Sequence, residues 1–264
     1  MNPIDKKLQE IKKQKRLGLM THVVIGYPSL SKTAEIVMAM ANTGVDFIEL
    51  QIPFSDPLAD GPTIMKACEA SLKQGTKIAD SFSLAKVLSR KVTVPLLFMG
   101  YYNSVFKYGV EKFCNDAKKS GISGLIIPDI PLEEEAEEHF IENCEKNSLY
   151  SIRVLSPAST QERLRKNAKI AKGFVYFTAR QGITGARSEL DPKIRTYLRK
   201  MQTEFSVPVA VGFGISKSEH IKTIKGLADI AVVGSALLDI INASTTNSLN
   251  TDVKEFITRL KVAS

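Results

Sequence analysis

Phe47-Ile48-Glu49-Leu50-Gln51-Ile52-Pro53-Phe54-Ser55-Asp56-Pro57-Leu58-Ala59-Asp60-Gly61-Pro62 opens with a short apolar strand that carries a carboxylate. Eleven residues after Glu49, a proline-rich loop presents a second one, Asp60. Apolar strands exclude unpaired carboxylates because a buried charge is costly, so Glu49 asks for a chemical reason. Pro53, Pro57, Pro62 and Gly61 restrict the loop backbone, which suits a segment that holds Asp60 in place rather than a solvated linker. With Phe47 inward, alternation puts Glu49 and Gln51 on one face and Ile48 and Leu50 on the other.

Seven further apolar runs resemble the first: Met20 to Gly26, Leu96 to Met99, Gly124 to Pro128, Tyr150 to Leu155, Phe174 to Thr178, Val207 to Gly212 and Ile230 to Gly234. Segments of helical period separate them, among them Ser31 to Asn42, Gly109 to Ser120, Leu132 to Lys146, Thr160 to Ala171 and Ser216 to Leu227. Ser31, Thr160 and Ser216 are candidate N-caps. Eight strand-helix units at about thirty residues each predict the α/β class and a (β/α)8 TIM barrel, whereas a doubly wound sheet usually stops at about six strands. Residues 1–264 are expected to form one barrel domain with an extra N-terminal helix, Lys6 to Arg16 reading as a solvated helix face.

The bulk properties agree with a large buried core: 264 residues, 44% hydrophobic. The net charge of +8 is spread over helical segments, without the aromatic-rich or zinc-finger pattern of a nucleic-acid surface. No apolar run reaches the roughly 18 residues of a membrane span, and the N-terminus lacks a signal-peptide core. A cytoplasmic location follows as the expectation. Cys68, Cys114 and Cys144, odd in number and in helical patterns, read as reduced, packed thiols.

Chemistry in such barrels sits at the C-terminal strand ends. That selects Gly26-Tyr27, Glu49 to Gln51, Gly100-Tyr101, Asp129, Arg180 to Gly185, Gly212 to Gly214 and Gly234-Ser235. Three glycine clusters follow the last three strands, and loops of this kind hold phosphate through backbone amides at helix starts. A phosphorylated substrate is expected, each cluster alone being equally readable as a tight turn. Desolvation is expected to raise the Glu49 pKa and ready it for proton exchange, while Asp60 stays ionised and stabilises positive charge on a ring nitrogen. The plainer readings are that Glu49 pairs with a cation and that Asp60 caps the helix starting near Thr63. Carbon-carbon cleavage of a sugar phosphate fits the layout, yet no strand carries a Schiff-base lysine, and of His22, His139 and His220 the last two fall on helices. No metal is called for; acid-base catalysis remains, with a substrate that is its own electron sink.

Glu49 to Ile64 closely resembles the signature of the tryptophan synthase α subunit family. The likeness continues through Tyr101-Tyr102-Asn103, Pro128 to Glu134, Gly182 to Arg187, Gly212 to Ile215 and Gly234-Ser235. The resemblance implies a lyase of tryptophan biosynthesis that cleaves indole-3-glycerol phosphate to indole and glyceraldehyde 3-phosphate. It implies no cofactor in this chain, pyridoxal phosphate belonging to a β subunit joined in an α2β2 complex. By position, Glu49 is the acid-base group and Asp60 holds the indole N–H. Tyr176, Thr184, Gly185, Phe213, Gly214, Gly234 and Ser235 surround the substrate, Thr184 on the loop that closes over it. Asp56, Pro57 and Asn103 face the β subunit.

Departures from the family pattern stand beside these matches. Gln51 occupies a glycine position, His22 an aromatic one, Tyr27 an aspartate one and Ser104 a proline one. Gln51 and His22, with Tyr101, are pocket modifiers, although His22 reads first as a satisfied structural histidine. Arg153, in mid-strand, has no explanation from sequence. The rival to an active lyase is a chain of the same shape that mainly binds and activates the β subunit, its own catalysis weakened by these changes. Another phosphate-binding barrel, an isomerase or a synthase, fits the late glycines but not the Ser55 to Asp60 loop.

Overall fold

The computed structural model describes residues 1–178, 192–212 and 214–264. Thr184, Gly185 and Phe213, with the rest of Arg180 to Arg187, lie outside them. The elements follow one another as α1 (Pro3–Gln14), β1 (Gly18–Val24), α2 (Leu30–Thr43), β2 (Phe47–Gln51), α3 (Pro62–Lys73), α4 (Ile78–Leu88), β3 (Leu96–Met99), α5 (Tyr102–Tyr108), α6 (Val110–Lys119) and β4 (Gly124–Ile126). A 3-10 turn (Leu132–Glu134) then leads to α7 (Glu135–Glu138), α8 (Phe140–Lys146), β5 (Tyr150–Leu155), α9 (Gln161–Ile170), β6 (Val175–Thr178), α10 (Pro192–Glu204), β7 (Val209–Gly212), α11 (Ser218–Ile224), β8 (Ile230–Val233), α12 (Ser235–Ala243) and α13 (Leu249–Lys261). The eight strands are parallel and close in chain order, β8 pairing back to β1. The protein is a (β/α)8 TIM barrel. No helix among the described residues is long and apolar enough to cross a membrane.

Strand alternation divides the core in two. Outward residues such as Ile48, Leu50, Leu96 and Phe98 pack beneath the helices. Inward residues, among them Met20, Phe47, Leu97, Ile126, Ile152, Ala210 and Ile230, fill the barrel. Ile4 and Ile11 of α1 join that inner cluster, so α1 plugs the barrel floor and is not merely a solvated face. Asn2 fastens the plug: its Oδ1 caps α1 at the Ile4 amide, and its Nδ2 donates to the Ser123 and Ser148 carbonyls. Burying each isoleucine contributes about 1.5–3 kcal/mol.

Thr160 caps α9 as expected, but two other N-caps differ. Ser29, not Ser31, accepts the amide that starts α2. The residue before α11 is Lys217, and Ser216 instead donates its amide to His220 Nδ1. The Leu132 to Lys146 segment is broken at His139, which adopts a left-handed conformation (φ 50°) and therefore lies between helices rather than in one. Glu135 accepts the amides of Ile141 and Glu142 and caps α8, which restarts the helix beyond the crowded Glu133 to Glu138 run. Cys68, Cys114 and Cys144 are buried free thiols.

Candidate active site

Glu49 lies in the inward row of β2, next to the mouth, and is 2% exposed. The register sets its neighbours: His22 on β1 is its cross-strand partner and Leu97 on β3 its other flank. Side chains at paired positions of adjacent strands lie on the same face, and His22 Nδ1 comes within 3.3 Å of Glu49 Oε2. The two groups are close without forming an aligned hydrogen bond, Glu49 Oε2 being buried without a partner. His22 is not a satisfied structural histidine either: its Nε2 is buried and unpartnered. Burial is the largest single influence on the imidazole and lowers its pKa. The Glu49 carboxylate, then Asp60 and Gln51, outweigh it, so the net direction is upward.

Asp60 is tied to the barrel from two sides. Gln51 Nε2 donates to its Oδ2 at 2.7 Å, and the Tyr101 hydroxyl donates to the same oxygen at 2.9 Å. The Ala59 amide donates in turn to the Tyr101 oxygen at 3.0 Å, pinning the loop beside Asp60. Phe54 stacks on the Tyr101 ring at 5.2 Å. Asp60 does not cap the next helix: the residue before α3 is Gly61, with no side-chain cap. Burial pushes the Asp60 carboxyl above its ordinary pKa, against the opposing pull of His22, Gln51 and Tyr101. Gln51 is fully buried, and its amide also reaches Cys68 Sγ at 3.5 Å. Burial raises that thiol to about 12, which keeps it protonated and inert.

Tyr176 reaches across from β6, its hydroxyl held neutral by burial and by the Glu49 and Asp60 charges. Gly212 makes room for it: an added Cβ would lie 2.7 Å from the Tyr176 hydroxyl oxygen. This glycine therefore answers to a side chain as well as to any anion. Gly214 has φ +79°, a left-handed conformation that favours glycine. Gly234 and Ser235 open α12 directly after β8, which brings a helix N-terminus to the mouth. Gly234 also borders the site, an added Cβ there lying 3.8 Å from the His22 ring.

Other residues expected at the mouth do different work. Asp129 accepts the Tyr102 amide on both oxygens, at 2.9 and 3.0 Å, and anchors the start of α5. Tyr27 donates its hydroxyl to Asn242 Oδ1 at 2.6 Å and braces α12. Arg153 points outward to α9, where its Nε donates to Asn167 Oδ1 at 2.8 Å. On the rim, Asp56 and Asn103 are exposed, but Pro57 is buried within the chain. Leu58 (80% exposed) and Phe106 (60% exposed) are exposed large apolar side chains of the same two segments. Sequence reasoning missed both, although an apolar residue in a polar loop and one on a short helix were signals that could have found them. Among the described residues no group of three or more His, Cys, Asp or Glu is placed to hold a metal. A basic recess of about 550 Å³ lined by Arg195, Arg199, Lys222 and Lys225 lies on the outer helical layer, away from Glu49.

A buried acid, a loop-borne aspartate and a helix start thus lie at one barrel mouth. Residues 8–264 match the family model described as "Tryptophan synthase alpha chain". The tryptophan synthase alpha chain of Desulfotalea psychrophila is 45% identical over 90% of this chain and 93% of its own length. That of Caldanaerobacter subterraneus subsp. tengcongensis is 41% identical over 99% of both. The crystal structure of tryptophan synthase subunit alpha from Legionella pneumophila superposes with a TM-score of 0.91 at 27% identity, covering 100% of this chain and 98% of that one. The chain belongs to the tryptophan synthase alpha chain family, lyases of tryptophan biosynthesis.

Proposed function

We propose that the protein cleaves indole-3-glycerol phosphate to indole and glyceraldehyde 3-phosphate by retro-aldol chemistry, residues 1–264 acting as one domain. The observation that carries this reading is the convergence of buried Glu49 and anchored Asp60 at one mouth. Glu49 delivers a proton to indole C3, which turns the ring into an electron sink, and removes the proton of the side-chain hydroxyl as the carbon-carbon bond breaks. Asp60 uses its Oδ1, the oxygen not engaged by Gln51 and Tyr101, to hold the indole N–H and its developing charge. General acid-base help of this kind typically contributes about 10² to 10⁴ in rate.

The substrate phosphate is placed at the amides of Gly214, Gly234 and Ser235, where the α12 start offers donors and a favourable dipole. Gly185, Thr184 and Phe213 complete that side in this proposal, and Tyr176 forms part of the wall. The indole ring is its own electron sink, so no cofactor is assigned to this chain. A β subunit carrying pyridoxal phosphate receives the indole, its contact surface being the rim of Asp56, Leu58, Asn103 and Phe106, with Pro57 supporting it from beneath. The α2β2 complex and the cytoplasm are the setting that this reading assigns.

A second reading, activation of the β subunit with little cleavage, is favoured by the volume that Gln51 and His22 take up in the mouth. Steady-state indole release from indole-3-glycerol phosphate, with and without the β subunit, decides between the two. Release that rises on adding the β subunit supports the lyase. No release in either condition, alongside strong stimulation of the β reaction, supports the activator.

A further inference from the structure

Among the described residues, five buried side-chain polar atoms lack a hydrogen-bond partner, and three of them belong to one spot: His22 Nε2, Glu49 Oε2 and Gln51 Oε1. Leaving such atoms unpaired is costly, so their concentration at the mouth points to work other than stability. His22 and Glu49 are brought together by strand register, 3.3 Å apart with side chains 4% and 3% exposed. An imidazole and a carboxylate this close in a dry site lie within reach of one another's proton.

Among the described residues, these groups face the imidazole. Glu49 and Gln51 come from β2 and Asp60 from the loop after it. Gly234, directly after β8, lies beside the ring without adding a charge. Tyr176, from β6, is neutral, and the Tyr101 hydroxyl donates to Asp60. Among the described residues, two titratable neighbours that pull on the ring, Glu49 and Asp60, are carboxylates, and both favour the imidazolium.

We propose that His22 is a positioning residue of the acid-base step, acting through Glu49 as the second seat of a single shared proton. The proposal rests on the lyase reading above. The resting pair carries one proton. That proton passes from the Glu49 carboxyl to the ring carbon as the new C–H bond forms, leaving the pair one proton short and the ring cationic. The pair then takes the hydroxyl proton as the O–H bond breaks. The carbonyl forms, the carbon-carbon bond cleaves, and its electrons return to the ring. One proton leaves the pair and one enters it, so the pair ends as it began, with His22 as the alternative seat of the proton it carries.

The test combines an NMR titration of the histidine ring protons with the pH profile of kcat. The His22 signal is assigned by its loss in His22→Phe. The expected result is a His22 midpoint above the ordinary value of about 6.5 that falls by about one pH unit or more in Glu49→Gln. In both His22→Phe and His22→Gln the alkaline limb of kcat moves to lower pH, with KM changed less than about threefold, because the strongest proton seat of the pair is gone. The proposal is overturned by a midpoint that is the same in wild type and Glu49→Gln, or by an alkaline limb that stays in place in both His22 variants. The ring titration needs no turnover. An inactive wild type whose His22 midpoint still depends on Glu49 contradicts the lyase reading, whereas an active wild type with an independent midpoint contradicts the shared proton.

Discussion

Gln51 Nε2 donates to Asp60 Oδ2 at 2.7 Å, joining the last residue of β2 to the loop that follows it. Gln51 thus does not merely fill the mouth. It spans from the rigid strand to the Asp60 carboxylate, while Tyr101 holds the same oxygen from β3's end. Both donors converge on Oδ2, and the proposed function gives Oδ1 to the substrate.

Removing that tie tests its role. Gln51→Gly deletes a charge-assisted hydrogen bond, of the kind that contributes about 1.5–3 kcal/mol, and frees the loop. The expected outcome is a rise in KM of tenfold or more, on the order of the lost interaction, read by steady-state kinetics. An unchanged KM and kcat contradicts the anchoring role.

Gly212→Ala places a methyl where the Tyr176 hydroxyl sits, 2.7 Å away. Overpacking of this kind typically costs about 1–3 kcal/mol. Denaturant unfolding should show that loss, and Gly212→Ala combined with Tyr176→Phe should recover part of it. No recovery argues that the clash lies elsewhere.

Ile4→Ala opens a cavity at the barrel floor, beneath Gly124 and Gly173, both of which approach the Ile4 side chain. A loss of about 2–5 kcal/mol in unfolding free energy is expected, with kcat little changed because the floor is remote from Glu49. A loss under about 0.5 kcal/mol would return α1 to the solvated role its charge pattern suggests.

His22 also makes stability depend on pH. Its folded pKa lies above the unfolded value, so its contribution is fully present below the unfolded pKa of about 6.5 and fades as pH rises through the folded one. Thermal melts of wild type should therefore lose stability from near-neutral into alkaline pH, and His22→Phe should lose less over the same window. Parallel curves would show that the imidazolium adds nothing to the fold.

The rim is tested at Phe106, 60% exposed on α5. Phe106→Glu removes an apolar contact of a size that ranks among interface anchors and should weaken β-subunit binding by at least tenfold in calorimetry. Unaltered affinity would move the contact surface away from α5.

How much of this was legible depends on how local each signal is. The strands were readable because apolar runs bounded by glycine and proline report burial on their own, and the Phe47 to Gln51 alternation placed Glu49 inward from five residues. Ser29 and Lys217 displaced the expected caps because a cap is chosen by where the chain turns, which neighbouring serines do not reveal. The break at His139 needed knowledge that Glu135 folds back to cap α8. The His22 contact with Glu49 and the Gln51 tie to Asp60 depend on register between strands and on the path of a loop. Neither is written in any single segment. The outward path of Arg153 to Asn167 is of the same kind.

The claim that Glu49 moves the proton is tested most directly by single-turnover indole release from indole-3-glycerol phosphate, comparing wild type with Glu49→Gln at saturating β subunit. The shape-matched amide cannot exchange the proton, and the rate should fall by about 10² to 10⁴. A Glu49→Gln rate within about tenfold of wild type would contradict the account.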